Sequence, residues 1–270
     1  MEDRIKSKDD QNLKENLSKM TFPEKVDHIW RYYRIPIIIA AAAVIFIVSL
    51  SKSILSQKTC VLHADFLNGV TADDTKTEAV TEGFASYAGI DLKKQDVILE
   101  GNLYVTQEIS QMSYEDMQTH QILMVKMAAK EIDALAADAV TYDYYTEIGA
   151  FSDLREVMTE EELAAFEGRI YYADRAYLAK VQQAMEDPNY VRPALPAEEI
   201  RAKMDPALFA MPDPAEMEDP IPVGIMANGL APMEELGFYP NTVCIIGVTS
   251  NGANPGNAVK FLQYLLHGQT

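Results

Sequence analysis

Residues 59–69, "TCVLHADFLNG", have the make-up of a β-strand: a dense apolar run closed by Asn68-Gly69, a turn signal. Side chains alternate along a strand, so His63 and Asp65, two apart, share one face. Those residue types suit a metal ion or a proton relay. The ordinary account of such a pair is a hydrogen bond at the strand end, and no metal ligand is assigned from it.

Downstream, "DDTKTEAVTEGFASYAG" offers Thr75 and Glu78 in capping-box spacing, then Val80, Phe84, Tyr87 and Ala88 on one helical stripe stopped by Gly89. "DVILEGNLYV" reads as a second strand. "SYEDMQTHQILMVKMAAKEI" reads as a helix packing through Met117, Ile122, Leu123, Met127 and Ile132. "DALAADAV" is a third strand, short and apolar as a parallel strand covered on both faces should be. This β-α-β-α-β order predicts an α/β fold: an open, mostly parallel sheet with helices on both faces.

Between residues 151 and 217 the texture changes. "FSDLREVMTEEELAAFEG" and "YYADRAYLAKVQQAMEDPNY" read as two helices, and the stretch from Arg192 to Pro220 carries six of the thirteen prolines, which interrupt regular structure. The chain then returns with the strands "IPVGIM" and "NTVCIIGV". Its last helix is "NPGNAVKFLQYLLHG", with Asn254 as cap, Pro255 in the first turn, and Ala258, Phe261, Leu262 and Leu265 on one face. The expected organisation is a main lobe of residues 59–150 and 218–270, with 151–217 as a small irregular second lobe or insertion.

Upstream, "RIPIIIAAAAVIFIVSLSKS", residues 34–53, is apolar from Ile35 to Leu50 except at Pro36 and Ser49. Its distance from the start and its flanks do not fit a cleaved export signal. Lys58 and Thr59 ahead of Cys60 do not fit a lipid-attachment site. The expectation is one transmembrane helix, a signal anchor over residues 35–55, between Ile35 and Leu50 at its core and Trp30, Tyr32 and Tyr33 at an interface. Packing within a helix explains those aromatics equally well. Lys19, Lys25, Arg31 and Arg34 precede the span, against only Lys52 and Lys58 after it before the chain turns acidic. A cell-membrane, single-pass topology follows, with residues 1–34 as a cytoplasmic tail bearing a juxtamembrane helix and the C-terminal domain extracytoplasmic. The partner so implied is membrane lipid.

Residues 59–270 hold 13 basic and 34 acidic residues, a formal charge of −21. Nucleic acid is excluded as a partner, because phosphate binding draws its affinity from lysine and arginine. Two cysteines, Cys60 and Cys244, stand at the starts of expected strands. A disulfide between them and two separately buried thiols both remain open.

The closing "VCIIGVTSNGANPGNAVKFLQYLL" and the middle "MAAKEIDALAADAVTYDYYTEIGAFSDLREVM" resemble extracellular solute-binding proteins of the type 2 periplasmic-binding fold. The likeness covers residues 59–160 and 219–268. Together with the anchor, it is similar to small membrane-tethered domains of this kind in anaerobic Gram-positive bacteria. The second lobe is reduced here, and a transmembrane helix stands where that family usually has a lipidated cysteine. The resemblance implies a tethered domain that captures or senses a small molecule, or one that keeps the fold without a pocket and contacts another envelope protein.

No nucleophile elbow, phosphate loop, dinucleotide glycine pattern or zinc spacing occurs, and no histidine is placed by sequence to activate Ser250. No enzyme is expected, and no cofactor. In an open α/β sheet ligands lie beyond the carboxyl ends of strands. The candidate ligand-binding residues are therefore Asp65 and Asn68 after the first strand, Thr141, Tyr142, Tyr144 and Tyr145 after the third, and Ser250 and Asn251 after the last. Packing is the alternative role for the tyrosines.

Overall fold

The computed structural model describes residues 21–55, 58–70, 73–101, 103–106 and 113–268. Within its first helix the side chains of residues 24–29, 31–33, 37 and 50–55 lie outside that description. The chain divides into two units, Met1–Gln57 and Lys58–Thr270.

In the first unit α1 spans Phe22–Leu55 with Pro36 inside it. The expected transmembrane anchor is corrected here: among the described residues no helix is long and apolar enough to cross a membrane. The uninterrupted apolar run, residues 37–48, rises only about 18 Å at 1.5 Å per residue, against a hydrocarbon layer of about 30 Å. The lipid partner, the cell-membrane location and the single-pass topology lose their basis with it. Of the residues expected to anchor, Trp30 and Ile35 are exposed, while the side chains of Tyr32, Tyr33 and Leu50 lie outside the described residues. Ile38, Ile39 and the stretch from Val44 to Val48 are exposed as well.

The second unit is built on β1 (Thr59–Phe66), β2 (Gln95–Glu100), β3 (Ala134–Ala137), β4 (Ile170–Asp174), β5 (Pro220–Met226) and β6 (Ile245–Val248). They form one sheet in the order β2-β1-β3-β6-β5-β4. β1 runs parallel to β2 and β3, whereas β3–β6, β6–β5 and β5–β4 are antiparallel. The sheet is thus mixed, not mostly parallel. The helices are α2 (Asp74–Ala88), α3 (Tyr114–Ala128), α4 (Ala139–Glu147), α5 (Leu154–Val157), α6 (Glu160–Ala164), α7 (Arg175–Met185), α8 (Ala197–Met204), α9 (Ala231–Leu236) and α10 (Pro255–His267).

Local chemistry explains where these elements begin. Asp73, not Thr75, caps α2, accepting from the Thr75 N–H, and Gly89 closes it at φ 73°, a left-handed conformation that costs glycine little. Ser113 and Asp116 form a reciprocal capping box on α3. Asp138 caps α4, so the third strand stops at Ala137 instead of running to residue 140. Residues 151–168 break into α5 and α6 because Asp153 and Thr159 each cap a new helix. "YYADRAY" is not all helix: Ile170–Asp174 pairs with β5, and Asp174 then caps α7.

Each sheet face carries its own core. Leu62, Ala64 and Phe66 of β1 join Val80 and Phe84 of α2, Leu236 of α9 and Phe261, Leu262 and Leu265 of α10. On the opposite face Leu135 and Ala137 of β3 join Leu123 and Met127 of α3, Tyr142 and Tyr145 of α4, and Ile245 of β6. No two-lobe arrangement is present among the described residues. The segment 151–217 contributes an edge strand to the common sheet, within the same unit as the rest.

Candidate metal centre

On the face that carries α3, β1 presents polar side chains where an apolar layer would be expected. His63 and Asp65 project from it, and the β1–β2 register sets Asp65 opposite Glu100, the last residue of β2. His63 Nε2 lies 2.9 Å from Asp65 Oδ1 and 3.3 Å from Glu100 Oε2. One donor atom from each of the three lies within 4.8 Å of the others, the spacing of a metal-ligand set. His63 and Asp65 are buried and Glu100 is partly exposed.

Lys126 reaches the cluster from α3. Its Nζ donates to Asp65 Oδ2 at 2.8 Å and Oδ1 at 3.1 Å and to Glu100 Oε2 at 2.9 Å, and lies 3.3 Å from His63 Nε2. The ammonium therefore faces all three donors, in the direction from which a bound cation would face them. Burial pulls the Lys126 ammonium down, but its hydrogen bonds to Asp65 and Glu100 and their charges outweigh it and hold it above the usual lysine range. Glu100 is held below the usual carboxylate range, chiefly by its hydrogen bond from Lys126. A groove of about 520 Å³ runs along α3, lined by Gln118, Gln121, Ile122, Val125 and Lys126.

The β1 end of the cluster is fixed from beneath. Asp133 Oδ2 accepts the His63 N–H at 3.0 Å, and Asp133 N–H donates to His63 O at 2.8 Å. Asp133 Oδ1 accepts the Asn254 N–H at 2.6 Å, so one buried carboxylate ties the start of β3 to β1 and to the approach to α10.

The residues expected to bind a ligand do not converge on one place. Asp65 belongs to the cluster just described. Asn68 and Thr141 meet through Asp138: Asn68 Nδ2 donates to Asp138 Oδ2 at 2.8 Å and to Thr141 Oγ1 at 3.0 Å, while Asn68 Oδ1 accepts the Val105 N–H. Tyr142 and Tyr145 are fully buried in the core. Tyr142 stacks on Phe151 with centroids 4.1 Å apart, and its hydroxyl donates to Val223 O. Tyr144 lies under the Arg192 guanidinium at 5.7 Å. Ser250 and Asn251 fall at the other end of the sheet. Because β6 runs against β3, Val248 lies opposite Ala134, the first residue of β3, so the carboxyl end of β6 is remote from Asn68 and Thr141.

Glu100 and Lys126 were not singled out in the sequence. The available signal was a lysine between Val125 and Met127 in a helix whose Leu123 and Met127 are buried; Met117 and Ile122, expected to pack, are exposed. Cys60 and Cys244 are both free thiols, half-buried and buried.

Comparison with protein-family models gives no match to this chain, and comparison with curated proteins gives none either. The resemblance to membrane-tethered solute-binding proteins of Gram-positive bacteria is accordingly withdrawn. With it go both functions it implied, small-molecule capture or sensing and contact with an envelope protein.

Proposed function

We propose that the unit Lys58–Thr270 is a non-catalytic domain that takes up a divalent transition-metal ion through His63, Asp65 and Glu100. The observation that carries this reading is the gathering of one imidazole nitrogen and two carboxylate oxygens within 4.8 Å on two adjacent strands. Donors about 2.1 Å from a tetrahedral ion stand about 3.4 Å from one another. The 2.9 and 3.3 Å spacings between His63 Nε2 and the two carboxylates are near that value, so small side-chain shifts suffice. A mixed nitrogen–oxygen set favours zinc, manganese or iron(II) over calcium, which takes oxygen ligands alone.

Lys126 is the resident counter-cation in this scheme. A metal ion and an ammonium cannot share the three donors, so uptake displaces Nζ toward the open groove.

Isothermal titration calorimetry of the full-length, metal-stripped chain with Zn²⁺ and Mn²⁺ tests it. One saturable site is expected, lost in His63→Ala and tightened at least about tenfold in Lys126→Met, which removes the competing charge at similar volume. Circular dichroism checks that both variants fold. Absence of binding in a folded Lys126→Met protein, or binding indifferent to His63→Ala, overturns the assignment.

A further inference from the structure

We infer that metal uptake at this cluster frees α3, so that the helix is the element through which the domain responds to the ion; this rests on the metal-binding reading above. α3 is held to the sheet by few groups. Of its side chains only Leu123 and Met127 are buried. His120 adds Nδ1 to the Tyr145 hydroxyl at 3.1 Å and ring contacts with Tyr144 and Tyr145 at 5.7 and 5.9 Å. Thr106 N–H donates to Asp116 Oδ1 at 3.2 Å near the start of the helix, and among the described residues the tie from α3 to the strands β1 and β2 is Lys126, whose single nitrogen bonds Asp65 of β1 and Glu100 of β2. Met117, Ile122, Met124 and Val125 are exposed.

The ion and the helix thus compete for the same three donors. When the ion binds, the ammonium that joins α3 to both strands must leave, and Lys126 already borders the groove along α3. Among the described residues, Leu123 and Met127, the His120 contacts with Tyr144 and Tyr145, and the Thr106–Asp116 hydrogen bond then remain. Just after the helix, Lys130 takes a left-handed backbone conformation at φ 62°, uncommon for a residue other than glycine, and Asp133 re-anchors the chain on His63. A pivot lies between these two points, beyond the last turn of α3. The ligands themselves stay in place, because two of the three belong to β1 and its hydrogen bonds to Asp133 do not involve Lys126.

Hydrogen exchange read by mass spectrometry on the full-length chain, with and without saturating Zn²⁺, tests the coupling. Amides of residues 114–128 are expected to exchange at least about tenfold faster with the ion, while those of β1 and β3 slow or hold, since a helix opens more readily once a tie to the sheet is removed. Lys126→Met should show fast α3 exchange in both conditions. Calorimetry on the same samples separates the two claims. Binding with unchanged or slower α3 exchange overturns the coupling and leaves the metal site standing. No binding in either protein overturns both.

Discussion

Tyr142 separates a surface role from a core role most sharply. Its ring is fully buried, stacked on Phe151 at 4.1 Å and edge-on to Tyr171 at 5.7 Å, and its hydroxyl donates to Val223 O at 2.8 Å. A Cβ built on Gly224 or Gly247 would collide with that hydroxyl, so the two strands approach the ring as closely as they do only because both positions are glycine. Tyr142→Ala removes the ring from a site walled by backbone that cannot collapse, at a cost of about 3–5 kcal/mol. The better helix propensity of alanine returns only about 0.5 kcal/mol. Tyr142→Phe keeps the volume but strands the Val223 carbonyl, at about 1–3 kcal/mol. A domain of this length loses about 2–4 °C of melting temperature per kcal/mol. Calorimetric melting should therefore show Tyr142→Ala about 10 °C below the parent, with Tyr142→Phe in between. A Tyr142→Ala protein melting within about 2 °C of the parent would refute the packing argument and make Tyr142 a candidate ligand contact again.

Three further outcomes follow from the same geometry. Asp133→Asn leaves one acceptor oxygen where the carboxylate serves His63 and Asn254, and should cost about 2 kcal/mol in urea unfolding; an unchanged midpoint would show the tie to be idle. Asn68 holds φ 58° and bonds Asp138, Thr141 and Val105, so Asn68→Ala loses both backbone fit and bonds, while Asn68→Gly loses the bonds alone. Alanine should be the worse by about 1 kcal/mol, and equal losses would remove the backbone part of the argument. Burial pushes the Asp153 carboxyl up, but bonds from Arg155 and the charges of Arg155 and Arg175 outweigh it and leave it below the usual value. The folded pKa is depressed, so this stabilisation is complete above the unfolded value of 3.8 and is lost as pH falls through the folded one. Asp153→Asn should flatten the fall in stability below about pH 4, and a parallel fall in both proteins would count against it.

Much of the sheet was legible because its central strands are apolar runs with clear stops. β1 ends at Phe66, just before Asn68-Gly69, and α10 follows from Pro255 and the spacing of Ala258, Phe261, Leu262 and Leu265. Strand direction was not legible, since neither "IPVGIM" nor "NTVCIIGV" encodes which way it runs. That one unknown sent Ser250 and Asn251 to the wrong end of the sheet. β4 was missed because "YYADRAYLAK" carries a helical stripe across its boundary, and only the cap at Asp174 marks the change of period. Half of the candidate metal centre was visible: His63 and Asp65 announce themselves by lying two apart on a strand. Glu100 joins them through the β1–β2 register and Lys126 through the docking of α3. Both are long-range facts that no local pattern carries.

The energetics of the cluster bear on what it is for. A wholly buried Asp65 costs several kcal/mol to desolvate, and a buried ion pair rarely outperforms well-packed apolar side chains of the same volume. Leucine or valine at these positions would extend the neighbouring core at no such cost, so packing alone does not account for the charges. The formal count is also unbalanced. The carboxylates of Asp65 and Glu100 carry two formal negative charges against the single positive charge of Lys126, in a cluster whose donors lie within 4.8 Å of one another. A divalent ion in place of the ammonium brings that sum to zero. Like charges at this separation repel more strongly the less water screens them. The arrangement is therefore better matched to a doubly charged ion than to the single charge that faces it.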